Sequence, residues 1–294
     1  MKKIPVLVTF FNRPAILEKL LKALNSNNGI EIFYASDGAR DAKDLKAINL
    51  CWELIDKYSG RVPDTHKLLR DSNLGCKNAM IGNIDWFLGL NDFGIILEDD
   101  CVPNDKFFGL IGNALKDIPG NNPDYISVSG SDYLPENLNR NLSAFRESIF
   151  PQIWGWGTWA RKWRYYQPQI PDNKEVVSLV AEHLYKEKFS LEKQYFKNVF
   201  QMRFDEINKN KIDTWDYSLT ATAWRHGFKA LQINGNQIVN SGFGALATHT
   251  ITEAPRWVPK YYSKREYVGN SEPDYDRAAD IWIAQNVFLS LIHI

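Results

Sequence analysis

The 294 residues are enough for one large domain or two small ones, and 44% hydrophobic with 24% charged residues is ordinary for a soluble globular protein. Lys plus Arg and Asp plus Glu are both 35, so the formal net charge is zero, which argues against a nucleic-acid binder held by bulk charge. Aromatic residues are frequent at 13%, with 10 Trp, which is typical of a large core or of platforms for sugars and nucleobases.

Cysteine content and the length of the apolar runs bear on the compartment. Cys51, Cys76 and Cys101 lack pairing or zinc spacing, and an odd count without a signal peptide predicts free thiols in a reducing compartment. The first apolar run ends at Asn12-Arg13-Pro14, and no other run reaches the roughly 18 residues of a membrane span. We therefore expect a cytoplasmic protein without a transmembrane segment, which leaves room for peripheral membrane contact.

Strands and helices are predicted to alternate over the first hundred residues, because short apolar runs are separated by segments with helical spacing. In chain order the predicted elements are a strand from Ile4 to Phe11, a helix carrying Ile16 to Leu24, a strand from Ile30 to Ala35, a helix from Leu45 to Tyr58, a strand from His66 to Leu69, a helix from Cys76 to Leu90 and a strand at Ile95 to Leu97. This alternation predicts an α/β fold with a mostly parallel, twisted central sheet flanked by helices.

Further elements are predicted after the seventh. They are a helix from Phe107 to Leu115, a strand from Tyr125 to Ser129, an aromatic segment from Pro151 to Tyr166, a helical region from Lys174 to Asn210, a helix from Thr214 to Trp224, short strands from Ala230 to Ile233 and from Gln237 to Val239, and a final helix from Arg277 to Leu291. The sequence shows no internal repeat and no low-complexity linker.

The stretch from Ile95 to Asn104 carries the densest chemistry. A buried apolar run leads directly into three carboxylates, Glu98, Asp99 and Asp100. Adjacent carboxylates repel one another, and a divalent cation shared with substrate phosphates would supply the compensating charge, since Mg²⁺ and Mn²⁺ bind carboxylate oxygens. The alternative is a solvated acidic turn, which the apolar run in front of the acids disfavours.

Polar residues also follow the other predicted strands. They are Asn12 and Arg13, Asp37, and Arg70 with Asn73. Ligands of open α/β sheets bind at the carboxyl ends of the strands, so these residues and the acids are predicted to line one cleft.

Taken together, these motifs resemble nucleotide-sugar-dependent glycosyltransferases of the GT-A type. The motifs that carry the resemblance are Phe11-Asn12-Arg13-Pro14, Ser36-Asp37-Gly38, Asn73-Leu74-Gly75 and Glu98-Asp99-Asp100. A later set resembles a bacterial group of sugar transferases, some of them once labelled haemolysin-like: Trp154-Gly155-Trp156-Gly157-Thr158-Trp159, Trp215-Asp216-Tyr217, and Gly242-Phe243-Gly244 before His249. The acids and the Trp-Asp pair are also similar to the eukaryotic N-acetylglucosaminyltransferase I family, which is inverting and Mn²⁺-dependent.

The resemblance covers roughly residues 4 to 250 and implies a domain organisation. We expect one GT-A-like catalytic domain over residues 1–255, with a nucleotide-binding half to about residue 130 and an acceptor half from about 131 to 255. Residues 256–294 are expected to form a C-terminal extension that packs on this domain; they resemble no family.

Donor and metal roles are also implied by the resemblance. It places Asp100 on Mn²⁺ or Mg²⁺ and offers His249 as a second ligand, although a lone histidine is more often structural. Asp37 also fits an ordinary Asp-Gly turn, and Arg13 fits a salt bridge at a helix start. The full set of implied donor-binding residues is Thr9, Phe10, Asn12, Arg13, Asp37, Arg70, Asn73, Glu98 and Asp99.

Asp216 is the implied general base, because an inverting transfer needs a carboxylate on the acceptor side. Its alternative role is an acid that favours a helix N-terminus, which Asp213 could fill instead. Trp154, Trp156 and Trp159 are predicted to stack on an acceptor sugar, with a core aromatic cluster as the alternative.

The sequence therefore favours an inverting glycosyltransferase that moves a sugar from a nucleoside-diphosphate sugar, preferably a UDP-sugar, to a hydroxyl of a glycan or glycoconjugate. A sugar nucleotidyltransferase would need a glycine-rich basic loop near the N-terminus, and Phe10 to Pro14 contains no glycine. A non-catalytic carbohydrate- or nucleotide-binding scaffold on the same fold is the other alternative, which a test of nucleotide-sugar turnover separates from the enzyme.

Overall fold

The computed structural model describes residues 3–25, 27–59, 63–118, 124–138, 143–171, 173–187, 190–243, 254–267 and 273–289. The strands in these ranges are β1 (Ile4–Phe10), β2 (Ile30–Ser36), β3 (Lys67–Leu68), β4 (Phe93–Glu98), β5 (Cys101–Pro103), β6 (Tyr125–Ser129), β7 (Phe145–Ser148), β8 (Trp156–Trp159), β9 (Lys229–Ile233) and β10 (Ile238–Asn240). The helices are α1 (Pro14–Leu24), α2 (Ala42–Ser59), α3 (Gly75–Leu90), α4 (Phe107–Asp117), α5 (Ala160–Trp163), α6 (Asn173–Leu184), α7 (Leu191–Asn208), α8 (Asp216–Arg225) and α9 (Arg277–Ile283).

Eight of the strands form one sheet in the order β3-β2-β1-β4-β8-β6-β9-β7. Strands β3, β2, β1 and β4 run parallel, as do β6 and β9, while β8 and β7 run antiparallel to their neighbours. The predicted α/β fold, with a mostly parallel central sheet flanked by helices, is confirmed. Strands from both sides of residue 130 contribute to this sheet.

Helices cover both faces of the sheet because the side chains of its central strands alternate between two apolar clusters. Val6 and Val8 of β1 pack with α1, α2 and α4, whereas Leu7 packs with α3 and α8 on the opposite face. In β4, Ile95 and Leu97 join the first cluster and Ile96 joins the second. Because both faces of these strands are buried, their sequences are nearly continuous apolar runs.

A further apolar cluster lies among α6, α7, α8 and α9 and is dominated by aromatic side chains. Phe196, Phe200 and Phe204 of α7 are fully buried there, and Trp224 of α8 packs against all three. None of the helices within the described ranges has the length and hydropathy of a membrane span.

Several features of the chain after β4 differ from the sequence predictions. The aromatic segment contains β8, which lies between β4 and β6; its Trp-Gly-Thr-Trp pattern was too short to indicate a strand. The helical region predicted from Lys174 to Asn210 consists of two helices, because Ser190 starts α7 by accepting a hydrogen bond from the Lys193 amide at 3.0 Å. Strands β5 and β7 were not predicted either.

Strands β5 and β10 pair directly beside the acidic stretch. Asn240 lies opposite Cys101, and the Ser241 amide donates to the carbonyl oxygen of Asp100 at 2.8 Å. This small antiparallel pair therefore brings residues 241–243 alongside Asp100.

The C-terminal helix α9 is attached to the sheet through a buried carboxylate. Asp280 is 0% exposed and accepts hydrogen bonds from the Ser148 hydroxyl and, at 2.9 Å, from the Ile149 amide. Burial is the main influence on this carboxyl group and raises its pKa to about 7 from an ordinary value of 3.8, while its two donors and Arg146 oppose the shift.

We expect this carboxyl group to make folding stability depend on pH. Because its pKa is higher in the folded chain, its stabilising contribution is complete below about pH 3.8 and is lost as the pH rises through about 7. Urea unfolding of the wild type and of Asp280→Asn between pH 4.5 and 7.5 should show the wild type losing stability relative to the variant, by up to about 1.4 kcal/mol per pH unit. Parallel pH profiles for the two proteins would contradict this expectation.

Candidate functional site

The acidic stretch begins at the carboxyl end of β4, in the middle of the parallel half of the sheet. Thr9 at the end of β1 lies opposite Glu98 at the end of β4, and the Thr9 hydroxyl reaches the Leu97 carbonyl at 3.5 Å. Strand β1 then leads through Arg13 into α1, which begins at Pro14. Proline suits this position, because the N–H that it lacks has no partner in the first turn of a helix. The short β1–α1 connection therefore brings Arg13 next to the acids.

Arg13 spans two of the three carboxylates. Its guanidinium contacts both oxygens of Asp99, with Nε to Oδ2 at 3.1 Å, and its Nη2 also donates to Oδ2 of Asp100 at 3.1 Å. Burial opposes the charged form, but Asp99, Asp100 and Glu98 together raise the pKa of Arg13 above its ordinary value. The guanidinium is thus fixed as a counter-charge for the acids, in keeping with the fork geometry of arginine.

One arginine does not balance three carboxylates. Loss of solvent, followed by the negative charges of Asp100 and Asp99, raises the pKa of Glu98 to about 8 although Arg13 opposes the shift. Burial likewise raises the pKa of Asp99 to about 6 against the effect of Arg13. The cluster therefore favours an additional positive charge.

Asp216 is the first residue of α8. It lies close enough to the acidic stretch for its negative charge to contribute to the raised pKa of Glu98. Its carboxylate accepts a hydrogen bond from the Thr214 hydroxyl. Burial raises the pKa of Asp216, while Thr214 and the amides of Tyr217 and Asp216 oppose the shift. A carboxyl group with a raised pKa is suited to proton abstraction near neutral pH.

Asp213 caps α3, not the helix that Asp216 begins. Its two oxygens accept hydrogen bonds from the amides of Cys76 at 2.8 Å and Lys77 at 2.9 Å. The suggestion that Asp213 caps the Asp216 helix is corrected accordingly, and Asp213 instead ties the entry of α8 to the N-terminus of α3.

We expect Asp213→Ala to destabilise the protein by about 1 kcal/mol, because the two α3 amides lose their acceptor. Asp213→Asn should retain most of the stability, since asparagine caps helices about as well as aspartate. Urea unfolding midpoints measure both effects, and an unchanged midpoint for the alanine variant would contradict the capping role.

Asp37 and Asn73 hold a loop together. The carboxylate of Asp37 accepts from the amides of Gly38 at 2.8 Å, Leu74 at 2.9 Å and Gly75 at 3.1 Å, and from the Asn73 side chain at 2.8 Å. These donors occupy both carboxylate oxygens, so direct contact of Asp37 with a donor nucleotide is not supported. The Asp-Gly turn interpretation is the better description.

The remaining predicted donor residues are divided between core and loop contacts. Phe10 is buried with its ring edge on Trp52, at a centroid distance of 5.1 Å, so its ring does not border a ligand. The Asn12 side chain donates to Asp44 at 2.6 Å, and the Arg70 guanidinium donates to Asn83 in the middle of α3 at 3.0 Å. Asn12 and Arg70 are therefore already engaged in contacts within the protein.

The three tryptophans predicted to stack on the acceptor have different environments. Trp156 and Trp159 are 1% and 3% exposed, because β8 lies inside the sheet, and an acceptor-stacking role for them is not supported. Trp156 stacks on Trp215 at 5.5 Å between ring centroids and so supports the residue that precedes Asp216. Trp154 is half-buried and remains a candidate for acceptor contact.

Gly242 lies against the side chain of Asp100, a contact that the sequence analysis did not predict. A Cβ atom at this position would lie 2.3 Å from Oδ2 of Asp100, so a larger residue would require the Asp100 side chain to move. His249, the other predicted metal ligand, lies outside the described residues. Within the described ranges, no group of three or more His, Cys, Asp or Glu side chains is arranged so that it could hold a metal ion.

The sequence analysis also did not predict that Arg40 and Asp44 lie near the β1–α1 connection. The Arg40 guanidinium lies over the Phe11 ring at 5.0 Å from its centroid, and it pairs with Asp44 at 2.6 Å. Their i,i+4 spacing could have predicted the ion pair, because oppositely charged side chains four residues apart are neighbours on a helix. This pair also receives Asn12, so it orders the loop on one side of the cleft.

No protein-family model matches the chain, and no curated protein matches it significantly. Among solved structures, the chain overlaps with a mannosyltransferase from Pyrobaculum calidifontis in complex with GDP-Man and Mn²⁺, at 10% identity and a TM-score of 0.41, over 76% of this chain and 69% of that one. The glycosyltransferase GlyE of Streptococcus pneumoniae overlaps at 8% identity and a TM-score of 0.38, over 78% of this chain and 45% of that one.

A third overlap is with glucosyl-3-phosphoglycerate synthase from Mycobacterium tuberculosis in complex with Mg²⁺ and uridine-diphosphate, at 15% identity and a TM-score of 0.32, over 62% of this chain and 65% of that one. The chain thus spans less than half the length of the second structure and just under two thirds of the third. Overlaps with TM-scores below 0.5 do not define the activity of this chain.

Proposed function

We propose that the protein is an inverting glycosyltransferase that moves a sugar from a nucleoside-diphosphate sugar to a hydroxyl of a glycan or glycoconjugate acceptor, with a divalent metal on the diphosphate. The observation that carries this proposal is the gathering of Glu98, Asp99 and Asp100 at the carboxyl end of β4, with Arg13 as their fixed counter-charge. Ligands of open α/β sheets bind at this edge.

The residues present fit Mn²⁺ or Mg²⁺. Glu98, Asp99 and Asp100 offer carboxylate oxygens, and Mg²⁺ is commonly held by one or two carboxylates together with substrate phosphates. Asp100 would hold the ion, because Asp99 is committed to Arg13 through both oxygens. When bound, the metal would act as a Lewis acid that neutralises the leaving diphosphate.

The chain's own groups would perform the other tasks. Asp216 would accept the proton of the acceptor hydroxyl as that oxygen attacks the sugar, a role supported by its raised pKa and its place near Glu98. Thr214 would orient the carboxylate through its hydrogen bond, and Trp215 would fix the helix start by stacking on Trp156. Glu98 would hold donor hydroxyls, a role supported by its place at the end of β4 beside Asp99 and Asp100.

Turnover of nucleoside-diphosphate sugars tests the proposal. The protein with Mn²⁺ would be incubated with UDP-, GDP- and dTDP-sugars and a mixture of oligosaccharide acceptors, and released nucleoside diphosphate and product anomers would be measured. One donor should be consumed only in the presence of metal, with inversion at the anomeric carbon. Retention of configuration would remove the base role of Asp216, and donor binding without turnover would favour the scaffold alternative.

A further inference from the structure

The aromatic segment that ends at Tyr166 has no part in the donor chemistry, but its last residue contacts the start of the helix that carries Asp216. The Tyr166 hydroxyl donates a hydrogen bond at 3.1 Å to the carbonyl oxygen of Trp215, the residue directly before Asp216. Residues 166–168 are fixed along α8 by this bond and by two others. The other two join the Gln167 amide to the Thr222 hydroxyl at 3.2 Å and the Ser218 hydroxyl to the Pro168 carbonyl oxygen at 3.1 Å.

The Tyr166 ring is held from its other side by Trp163. The two rings stack with 4.3 Å between their centroids and 13° between their planes, and the Tyr166 amide donates to the Trp163 carbonyl at 2.9 Å. The indole N–H of Trp163 donates to Asp85 of α3 at 2.7 Å. Because its ring and its backbone are both anchored, Tyr166 presents its hydroxyl to the Trp215 carbonyl in one fixed place.

Trp215 is enclosed by the same aromatic cluster. It is 2% exposed, with its ring stacked on Trp156 and the edge of Trp163 against it at 6.4 Å between centroids. Its carbonyl oxygen also accepts the Leu219 amide at 3.3 Å, which is long for a helical hydrogen bond. The Tyr166 hydroxyl is therefore the nearer of the two donors to this oxygen.

One peptide unit connects the Tyr166 hydroxyl with the Asp216 carboxylate. Its carbonyl belongs to Trp215 and its N–H belongs to Asp216, and that N–H is one of the donors that hold down the pKa of the Asp216 carboxyl group, with Thr214 and the Tyr217 amide. A hydrogen bond to the carbonyl of a peptide polarises it and strengthens the bond that its N–H donates. Tyr166 thus acts on the carboxylate through the backbone without touching it.

We propose that Tyr166 is a positioning residue for Asp216, because its hydroxyl fixes the Trp215–Asp216 peptide and thereby orients the carboxylate that accepts the proton. The role of Asp216 as the base rests on the proposed function, whereas the chain of hydrogen bonds from Tyr166 to the carboxylate does not. Burial raises the pKa of Tyr166 although Ser218 opposes the shift, so the hydroxyl stays protonated and remains a donor.

Titration of the Asp216 carboxyl group by ¹³C NMR tests the proposal without using sugar transfer. In protein labelled with carboxyl-¹³C aspartate, the Asp216 signal is the titrating signal that is lost in Asp216→Asn. Tyr166→Phe keeps the ring that stacks on Trp163 and deletes only the hydroxyl. We expect this variant to raise the pKa of Asp216 by about half a pH unit, because a weaker hydrogen bond to the carboxylate disfavours its charged form.

Other titratable groups surround Asp216 and have to be separated from it. Burial raises the pKa of a cysteine and three tyrosines among them above 10, so Glu98, with a pKa of about 8, titrates nearest to Asp216 in this set. Repeating the comparison in a Glu98→Gln background removes that step. The groups on which the charge of Asp216 acts are Cys76 of α3, Glu98 of β4, Tyr133, Tyr166 and Tyr217.

Two further variants calibrate the shift. Thr214→Val deletes a hydroxyl that donates directly to the carboxylate, and it should raise the pKa of Asp216 by about one pH unit or more. Tyr34→Phe is the matched control, because it deletes a tyrosine hydroxyl that is bonded to Ser59 at 2.6 Å on the far strand β2, and it should leave the pKa of Asp216 unchanged. An unchanged pKa in Tyr166→Phe, or an equal shift in Tyr34→Phe, would overturn the proposal.

Kinetics separate this proposal from the proposed function. Tyr166→Phe should lower kcat about three- to tenfold, keep the donor KM within about twofold of the wild type, and move the acid limb of kcat to higher pH together with the pKa of Asp216. A shifted pKa in a protein that transfers no sugar would retain Tyr166 as the positioning residue and remove the transferase function. Transfer that requires Asp216 and is unaffected by Tyr166→Phe would overturn the positioning role alone.

Discussion

Replacing Asp216 by asparagine is expected to lower the rate of sugar transfer by about 10²- to 10⁴-fold, the usual contribution of a positioned general base. The amide keeps the size of the side chain and accepts the Thr214 hydrogen bond, but it does not accept a proton at neutral pH. Nucleotide affinity should remain unchanged, because Asp216 begins α8 on the proposed acceptor side. Initial rates and nucleotide titration on the same preparation measure the two quantities.

Asp213→Asn is the matched control for this variant. It makes the same carboxylate-to-amide change three residues earlier, where the side chain caps α3 through the Cys76 and Lys77 amides. Its transfer rate should stay near that of the wild type. A full rate for Asp216→Asn, or an equal loss in both variants, would show that Asp216 is not the base.

Replacing Asp100 by alanine is expected to abolish metal-dependent nucleotide binding while the fold is kept. Asp99 retains its contacts with Arg13 in this variant, so the acidic stretch remains anchored. A nucleotide at about 100 times its dissociation constant stabilises the wild type by roughly 2.7 kcal/mol, and this stabilisation should fall close to zero. Unfolding midpoints with and without Mn²⁺ and nucleotide measure the change.

Asp105→Ala supplies the control for the loss of a neighbouring acid, because Asp105 is exposed and lies in the next connection, between β5 and α4. It should bind nucleotide and metal like the wild type. Metal-dependent binding that survives in Asp100→Ala would exclude Asp100 as the metal ligand.

The first half of the fold was predictable because burial on both sheet faces leaves a clear signal. The runs Ile4 to Phe10 and Phe93 to Glu98 are nearly continuous apolar segments, and their strands lie where the carboxyl-end rule places a ligand cleft. The same rule predicted that Arg13 lies close to the acids. It did not predict that Arg13 contacts both Asp99 and Asp100.

The second half of the chain was less predictable because its short strands and aromatic segments show no clear hydrophobic period. Trp156 and Trp159 look like a sugar platform in sequence, yet pairing of β8 with both β4 and β6 buries them. Asp37 looks like a ligand-binding acid, yet its oxygens also accept from the amides of Leu74 and Gly75, which lie 37 and 38 residues further along the chain. Contacts between residues so distant in sequence leave no local pattern.

Nucleotide binding measured by thermal shift, with UDP, GDP, CMP and dTDP each in Mn²⁺ or in EDTA, tests the central proposal most directly. We expect one nucleoside diphosphate to raise the unfolding temperature in Mn²⁺ and to have no effect in EDTA, since the acids at the end of β4 need the cation to accept a diphosphate. The absence of a shift with every nucleotide, or an equal shift in EDTA, would contradict a metal-dependent donor site at Glu98, Asp99 and Asp100.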